Sequence, residues 1–525
     1  MLRWFILVCL AAASRGSHFH PPFRLQYQPK RTPAPVQRTL VAISTSGMGR
    51  LYSLDNNNYY SDPVQLLELK GTPFSIGEAY GELLADQIVE TYEGFFAGHP
   101  ADKGFTSTLD WLWDCSLKPN APAKLLAEID ATEQGGMNAN VTGIKKMLTR
   151  VLTGSNLPAD AYNIQILVKH EMERHGNGSS CHATGKALLP DWSARAQQEQ
   201  QRQVSHRKHH PAGHCDFFAA WGSRTEDGRL ISSRNLDIAP ASGISRHKLI
   251  TVYQFSDGRI PYATVGFSGY VGALAGMSQN ITVSEANLDN GAVSFDGIAW
   301  PLRLRQLMGH AQNLSQARVL WSLHNNTAAF NFLIGSAADP PGAVALETTA
   351  LVTAAFTGGS RIEQSASYTC NTSRIMDGSH CVWPNNGGRP VLIGEPLDEC
   401  VFRSNHALHP DVRETQEPLW NDTVMRYFLL HDRLEEVTVT GGGMSVDDAI
   451  NVTSLLGIKG ADYGSCAPAN FLTADPTHVM SVVYDPSRNN LYAAWEDGLK
   501  TKGDDHDWSP AGCNTYLWVN LGEYW

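Results

Sequence analysis

The 525-residue chain lacks any apolar run long enough to cross a bilayer. Charge is sparse too: only 18% of residues are Asp, Glu, Lys or Arg, and acids outnumber bases to give a formal net charge of −11. A basic face of the kind that holds nucleic acid is therefore not expected. There is no internal repeat and no G-x-S-x-G elbow, because Tyr270 stands where the second Gly of GFSGYVG would be. Ser268 is accordingly read as a turn residue rather than a nucleophile. No zinc-type spacing is present either. His206, His209, His210, His214 and Cys215 are dense but match no tetrahedral signature, so neither metal nor organic cofactor is expected. The His-rich stretch reads instead as a segment whose charge rises as pH falls. What remains, with 42% hydrophobic residues, is a large globular chain able to bury a substantial core.

The chain opens MLRWFILVCLAAASRG, with Arg3 ahead of ten apolar residues, Trp4 to Ala13, then small residues. This pattern predicts a secretory signal over residues 1–16, cut near Ala13 or Gly16. A secreted or lysosome-like lumen follows as an expectation. N-x-S/T acceptors at Asn140, Asn177, Asn280, Asn313, Asn325, Asn371, Asn421 and Asn451 agree with it. Nine cysteines are present, and Cys9 lies in the signal. The other eight can form four disulfides in an oxidising compartment, with Cys370–Cys381 the expected bridge. If one is a working thiol, parity requires a second to stay free or to pair between chains.

Residues 17–60 are rich in Pro, Arg and Asn and read as an extended lead-in. Residues 61–191 read as mainly helical. Apolar positions Ile76, Ala79, Leu83, Leu84, Ile88 and Tyr92 predict a helix over 73–98, and others are expected at 122–129 and 158–175. Residues 192–214 are polar, Gln-rich and basic, and read as a cuttable linker. Beyond them come short β-branched and aromatic runs: FFAAWGS, RLISSRN, KLITVYQF, YATVGFS, FNFLIGS, GAVALETT, HVMSVVYD and LYAAWED. Helices are expected at 298–308 and 311–323. The whole predicts a layered fold of mixed helices and strands, with 61–525 forming one composite unit.

The sharpest local feature is GHCDFFAAWG, where Cys215 starts a strand just behind the linker. Cutting between His214 and Cys215 would give one residue both a thiol and an α-amine, and an amine of pKa about 7.7 is a serviceable general base. A structural disulfide is the competing role for this cysteine. Downstream, a hairpin through Asp227-Gly228 returns Arg234 and Asp237 of RLISSRNLD towards Cys215. Asp237 is expected to accept a hydrogen bond from the amine, and Arg234 to hold a thiolate or a carbonyl. Asp216, directly after Cys215, would raise the thiol and amine pKa values by its charge.

The stretch GHCDFFAAWGSRTEDGRLISSRNLD resembles the N-terminal-nucleophile hydrolases that include penicillin acyltransferase-like peptidases and acid ceramidase-like proteins. TPFSIGEAYGELLADQI, GALAGMSQNITVSEANLDN, NFLIGSAADPPGAVALE and HVMSVVYDPSRNNLYAAWEDG are similar to further segments of that group, over roughly residues 65–497. The resemblance implies an α+β, four-layer αββα sandwich preceded by a mainly helical portion. It implies maturation ahead of Cys215 into a light chain, about 17–214, and a heavy chain, 215–525. Cys215 matches the nucleophile, and Arg234 and Asp237 match the family's RN-x-D motif. Asn405 in FRSNHAL matches an Asn that helps hold the oxyanion, with Ser404 where Thr is frequent. Arg426 in TVMRYFLLHDRLEE and Glu285 in TVSEAN match supporting positions. The implied activity is hydrolysis or acyl transfer on linear acyl amides. Two alternatives stay open: a phospholipase B-like lipid ester hydrolase, and a catalytically silent secreted binding glycoprotein.

Overall fold

The structure is a computed structural model. It describes residues 33–54, 60–97, 103–158, 161–205, 215–238, 244–288, 292–368, 390–416, 419, 421–455, 477–497 and 509–525. Cys370, Cys381, Asn371, the four linker histidines and the predicted signal lie outside these residues.

The lead-in is built into the sheets. It contributes β1 (Ala34–Pro35), β2 (Thr39–Ile43) and β3 (Gly49–Ser53), followed by β4 (Gln65–Gly71). The helix expected over 73–98 forms as two, α1 (Pro73–Leu83) and α2 (Ala85–Ala97). A capping box starts α1: Ser75 N donates to Thr72 Oγ1 and Thr72 N donates to Ser75 Oγ, with Pro73 at the first helical position. Helices α3 (Lys103–Leu112), α4 (Ala123–Asn138), α5 (Ile144–Gly154), α6 (Ala161–Arg174) and α7 (Ser180–Ser205) complete this half. Gly77 and Gly81 of α1 let α4 approach closely, because a Cβ on either would run into the carbonyl of Glu128 or Thr132.

Helix α7 corrects the expected linker. Residues 192–205 are helical, and Trp192 is buried, donating its indole N–H to Thr108 Oγ1 at 2.9 Å. Polar composition suggested a loop, but Ala, Gln, Glu and Arg are strong helix formers. A disulfide, Cys115–Cys181, ties the start of α7 to the turn after α3.

Arg150 on α5 grips Asp110 on α3 through two 2.8 Å bonds and donates to the Tyr92 hydroxyl on α2 at 2.9 Å. Partial burial pushes the Asp110 carboxyl up, but bonds from Arg150 and Lys146 outweigh it and hold the group below the usual carboxylate range. A depressed carboxylate pKa stabilises the fold above the unfolded value, near 3.9, and that contribution fades as pH falls through the lower folded value. Asp110→Asn is therefore expected to cost about 1 kcal/mol at pH 6 and progressively less below pH 4. Urea midpoints of the two proteins across pH 3–6 check this, and a constant gap would contradict it.

The second half supplies β5 (Cys215–Gly222), β6 (Gly228–Ile238), β7 (Lys248–Phe255), β8 (Tyr262–Phe267), β9 (Ala275–Ser278) and β10 (Ile281–Asn287). Helices α8 (Trp300–His310) and α9 (Leu314–Ser322) follow, then β11 (Phe330–Ser336), β12 (Gly342–Thr348) and β13 (Thr353–Phe356). A short pair, β14 (Ser367–Tyr368) and β15 (Val391–Leu392), precedes β16 (Cys400–Arg403), α10 (Asn421–Gly441) and α11 (Val446–Leu455). The chain ends with β17 (Thr477–Asp485), β18 (Asn490–Trp495) and β19 (Leu517–Asn520).

Among the described residues two large sheets form, seven strands in the order β1-β19-β18-β17-β6-β5-β16 and ten in the order β13-β12-β11-β10-β9-β8-β7-β4-β3-β2. They pack face to face where β5 and β6 lie on β10, β11 and β12. Side chains meet across the interface, as where Ser232 Oγ donates to Thr282 Oγ1 at 2.9 Å. Helices α10 and α11 cover the seven-stranded sheet, and α1, α8 and α9 cover the ten-stranded one. The architecture is the αββα sandwich, with helices α1–α7 ahead of strands β5–β19. Among the described residues no helix is long and apolar enough to cross a membrane.

Candidate active site

Cys215 is the first residue of β5, which lies between β6 and the edge strand β16, and is buried with 4% exposure. Strand alternation sends its side chain to the face it shares with Arg234 and Leu236 on β6, since Cys215 pairs with Leu236 and Phe217 with Arg234. The Cys215 sulfur stands 4.0 Å from Arg234 Nη2. That guanidinium is fully buried, donates from Nε to Leu274 O at 3.0 Å and forms a close ion pair with Glu285 near the end of β10. Burial pushes the Glu285 carboxyl up, against the pull of Arg234.

Both backbone polar groups of Cys215 are held by side chains. Its N donates to Asn405 Oδ1 at 2.7 Å, and its carbonyl accepts from Arg426 Nη1 at 2.7 Å. Arg426 Nη2 donates to the same Asn405 oxygen at 2.8 Å. Two donors on Oδ1 fix the amide so that Asn405 Nδ2 points to Asn287, donating to its carbonyl at 2.8 Å and its Oδ1 at 2.7 Å. Asn405 follows β16, the other neighbour of β5. Its backbone is pinned by Thr423 Oγ1 on α10, which accepts from Asn405 N at 2.9 Å, and by Asn331 Nδ2, which donates to the carbonyls of Ser404 and His406. Behind this turn Arg403 pairs with Glu347 and Glu363 in a fully buried cluster.

Asp237 is placed differently from its expected role. The Cys215 nitrogen is bonded to Asn405, whereas Asp237 lies on the other face of β6 with its Oδ1 2.9 Å from His478 Nε2. The motif splits because residues 234 and 237 fall on opposite sides of a strand of period two. Asp216 also turns to that other face, where Asn235 Nδ2 donates to it at 2.8 Å and Arg426 stands 3.6 Å away. Its effect on the thiol is correspondingly minor. Burial pushes the Cys215 thiol up to about 12, Glu285 adds to this, and Arg234 and Arg426 oppose it; Asp216 contributes least among these. Asn287 and His478 were not found from sequence, and Asp216 was singled out only for its charge beside the thiol.

In the uncut chain Cys215 has no α-amine, and its thiol stays protonated through neutral pH. Iodoacetamide at pH 8 is therefore expected to leave Cys215 of the native, uncut protein unlabelled, with peptide mass mapping as the check. Ready labelling at pH 7 would contradict the buried environment. Cys400 is a second buried free cysteine, as parity requires if Cys215 carries a working thiol, and Cys513 is disulfide-bonded. Among the described residues no three His, Cys, Asp or Glu side chains are arranged to hold a metal ion. Of the N-x-S/T acceptors, Asn140, Asn177 and Asn325 are exposed, and Asn280, Asn313 and Asn451 are partly so.

No protein-family profile matches the chain. A curated protein, dcd1A of Dictyostelium discoideum, is 24% identical over 303 residues, 54% of this chain. The chain spans 58% of that relative's length. Among solved structures, an N-acylethanolamine-hydrolyzing acid amidase orthologue of Caenorhabditis elegans matches with 13% identity and a TM-score of 0.31, over 52% of this chain and 93% of that one. A mutant form of conjugated bile acid hydrolase from Clostridium perfringens matches with 10% identity and a TM-score of 0.36, over 59% and 93%. At these values the likenesses say nothing of substrate, and the site stands on its own geometry.

Proposed function

We propose that the chain is a cysteine amidohydrolase or acyltransferase of the N-terminal-nucleophile kind, made as a glycosylated precursor for a secreted or lysosome-like lumen. Cleavage between His214 and Cys215 frees the α-amine and yields a light and a heavy chain that stay together. One observation carries this reading. A buried cysteine at the start of a strand has its nitrogen held 2.7 Å from Asn405, its carbonyl 2.7 Å from Arg426 and its sulfur 4.0 Å from Arg234. A disulfide cysteine needs none of these grips. A residue that must become a chain terminus, keep its amine beside its own thiol and meet a carbonyl needs all three.

The chemistry follows from those positions. The α-amine takes the thiol proton as sulfur attacks the amide carbonyl carbon. Charge gathers on the carbonyl oxygen, and we assign the side-chain amide of Asn405, bonded to the Cys215 nitrogen, as the donor that receives it on turning from Asn287. The C–N bond breaks, the ammonium returns its proton to the leaving amine, and an acyl-thioester remains. Water, or an acceptor amine, attacks the thioester, so that carboxylic acid or a new amide leaves and the thiol is restored. The favoured substrates are linear acyl amides. No resident metal or cofactor enters these steps.

The test is to trap the thioester. The purified protein is mixed with a panel of N-acyl amides, quenched in acid and digested. The expected product is a peptide starting at Cys215, heavier by one acyl group and returned to its native mass by hydroxylamine. Turnover of an amide with the acyl group on another residue, or on none, would overturn the reading.

A further inference from the structure

Behind the thiol, on the reverse face of β5 and β6, lies a second set of buried polar side chains: Asp216, Asn235, Asp237 and His478. None is more than 4% exposed. They come from three adjacent strands. Asp216 is opposite Asn235, and Asp237 is opposite His478 on β17. The register then slips, with Met480 opposite Leu236, so Val479 forms a bulge. A bulge re-aims the side chains beside it, and here it follows directly on His478.

The distances make a chain that ends at Cys215. His478 Nε2 is 2.9 Å from Asp237 Oδ1 and 3.7 Å from Asp216 Oδ2. Asp216 Oδ2 is 3.6 Å from Arg426 Nη1, the same nitrogen that donates to the Cys215 carbonyl at 2.7 Å. The other Asp216 oxygen is fixed by Asn235 Nδ2, and Asn235 is held in turn by Ser481 Oγ at 2.6 Å and the Thr453 carbonyl of α11 at 2.9 Å. Neither ring nitrogen of His478 nor Asp216 Oδ2 makes a well-aligned hydrogen bond, although all three atoms are sealed from solvent. A buried polar atom left without an aligned partner is costly, so its presence calls for a role.

We propose that His478 and Asp216 are positioning residues for Cys215, acting through Arg426 from the reverse face of the strand. This rests on the reading of Cys215 as the nucleophile. Arg426 Nη1 faces both the Cys215 carbonyl and the Asp216 carboxylate. His478 stands against that carboxylate from the other side and limits its pull. Without His478, Asp216 would draw Arg426 into a full ion pair, and the guanidinium would leave the carbonyl and the Asn405 oxygen. The start of β5 would shift with it. Misplacement of a reacting group by an ångström is enough to slow a step severely. The Asp that follows the nucleophile is thus matched by a histidine from a strand far along the chain.

The test uses the full-length chain and follows cleavage ahead of Cys215 by intact mass, with the melting temperature of the uncut chain as a second reading. His478→Leu is expected to cleave at least about tenfold more slowly. His478→Gln, which keeps a nitrogen donor facing Asp237 and Asp216, is expected to stay within about threefold of the parent. Adding Asp216→Asn to His478→Leu removes the excess pull and is expected to recover most of the lost rate, a coupling that simple core filling would not show. The proposal is overturned if His478→Leu cleaves at the parental rate, or if Gln fails as badly as Leu with an equal fall in melting temperature. A parent chain that is never cut would overturn the nucleophile reading itself, and this proposal with it.

Discussion

Cys215→Ala is expected to give a single uncut chain with no amide turnover above background, against a parent that is cut and active. The loss in kcat should be on the order of 10⁴-fold or more, because nucleophile and base disappear together and members of one catalytic unit do not lose activity additively. The fold should survive. The thiol is small, and Cys215 lies in a strand whose ladder to β6 and β16 does not involve the side chain. Truncation to Ala should cost about 1 kcal/mol, little enough for the urea midpoint to stay close to the parent's. Loss of cutting with an unchanged unfolding transition separates chemistry from folding. A Cys215→Ala chain that is still cut ahead of residue 215 would mean that another protease, not this thiol, opens the bond.

The second large effect is expected at Arg426. Its guanidinium is 2% exposed and holds the Cys215 carbonyl and the Asn405 amide oxygen, with Asp216 3.6 Å away. Arg426→Met keeps most of the side-chain volume but removes the charge and both bonds. Asp216 then loses its cationic neighbour on that side, and removing one partner of a buried pair costs about 3–5 kcal/mol. Cleavage and turnover should each fall by about 10²-fold or more, since the nucleophile loses its fixed position. The combined substitution Arg426→Met with Asp216→Asn should regain much of the stability, because the stranded charge is gone, but not the rate. Recovery of both would mean that Arg426 serves the fold alone. Retention of full rate in Arg426→Met would remove it from the site.

Much of the sandwich could be read in the sequence, because its strands carry a period-two or fully apolar pattern that survives without neighbours. KLITVYQF and FNFLIGS coincide with β7 and β11, RLISSRN falls inside β6, and FFAAWGS overruns β5 only at Ser223. Helices were legible where apolar spacing was clean, as at 300–310. They were missed where composition misled. Helix α7 runs through the Gln-rich stretch, and α10 went unread although Val424, Tyr427, Leu430 and Leu434 are buried at helical spacing. The site divides in the same way. Cys215, Arg234 and Asp237 lie within one hairpin, so their proximity follows from local sequence. The face each takes does not, and that is why Asp237 ended beside His478 rather than at the Cys215 nitrogen. Asn287 and His478 reach the site only through pairing between distant strands, and the bulge at Val479 sets the register there. Nothing local announces such a register.

The most direct test is the amino terminus of the heavy fragment in active, purified protein. The expected result is a chain beginning at Cys215 with a free α-amine, alongside a light fragment ending at His214. Intact mass showing one continuous polypeptide through residues 214 and 215, in material that turns over amide, would contradict it.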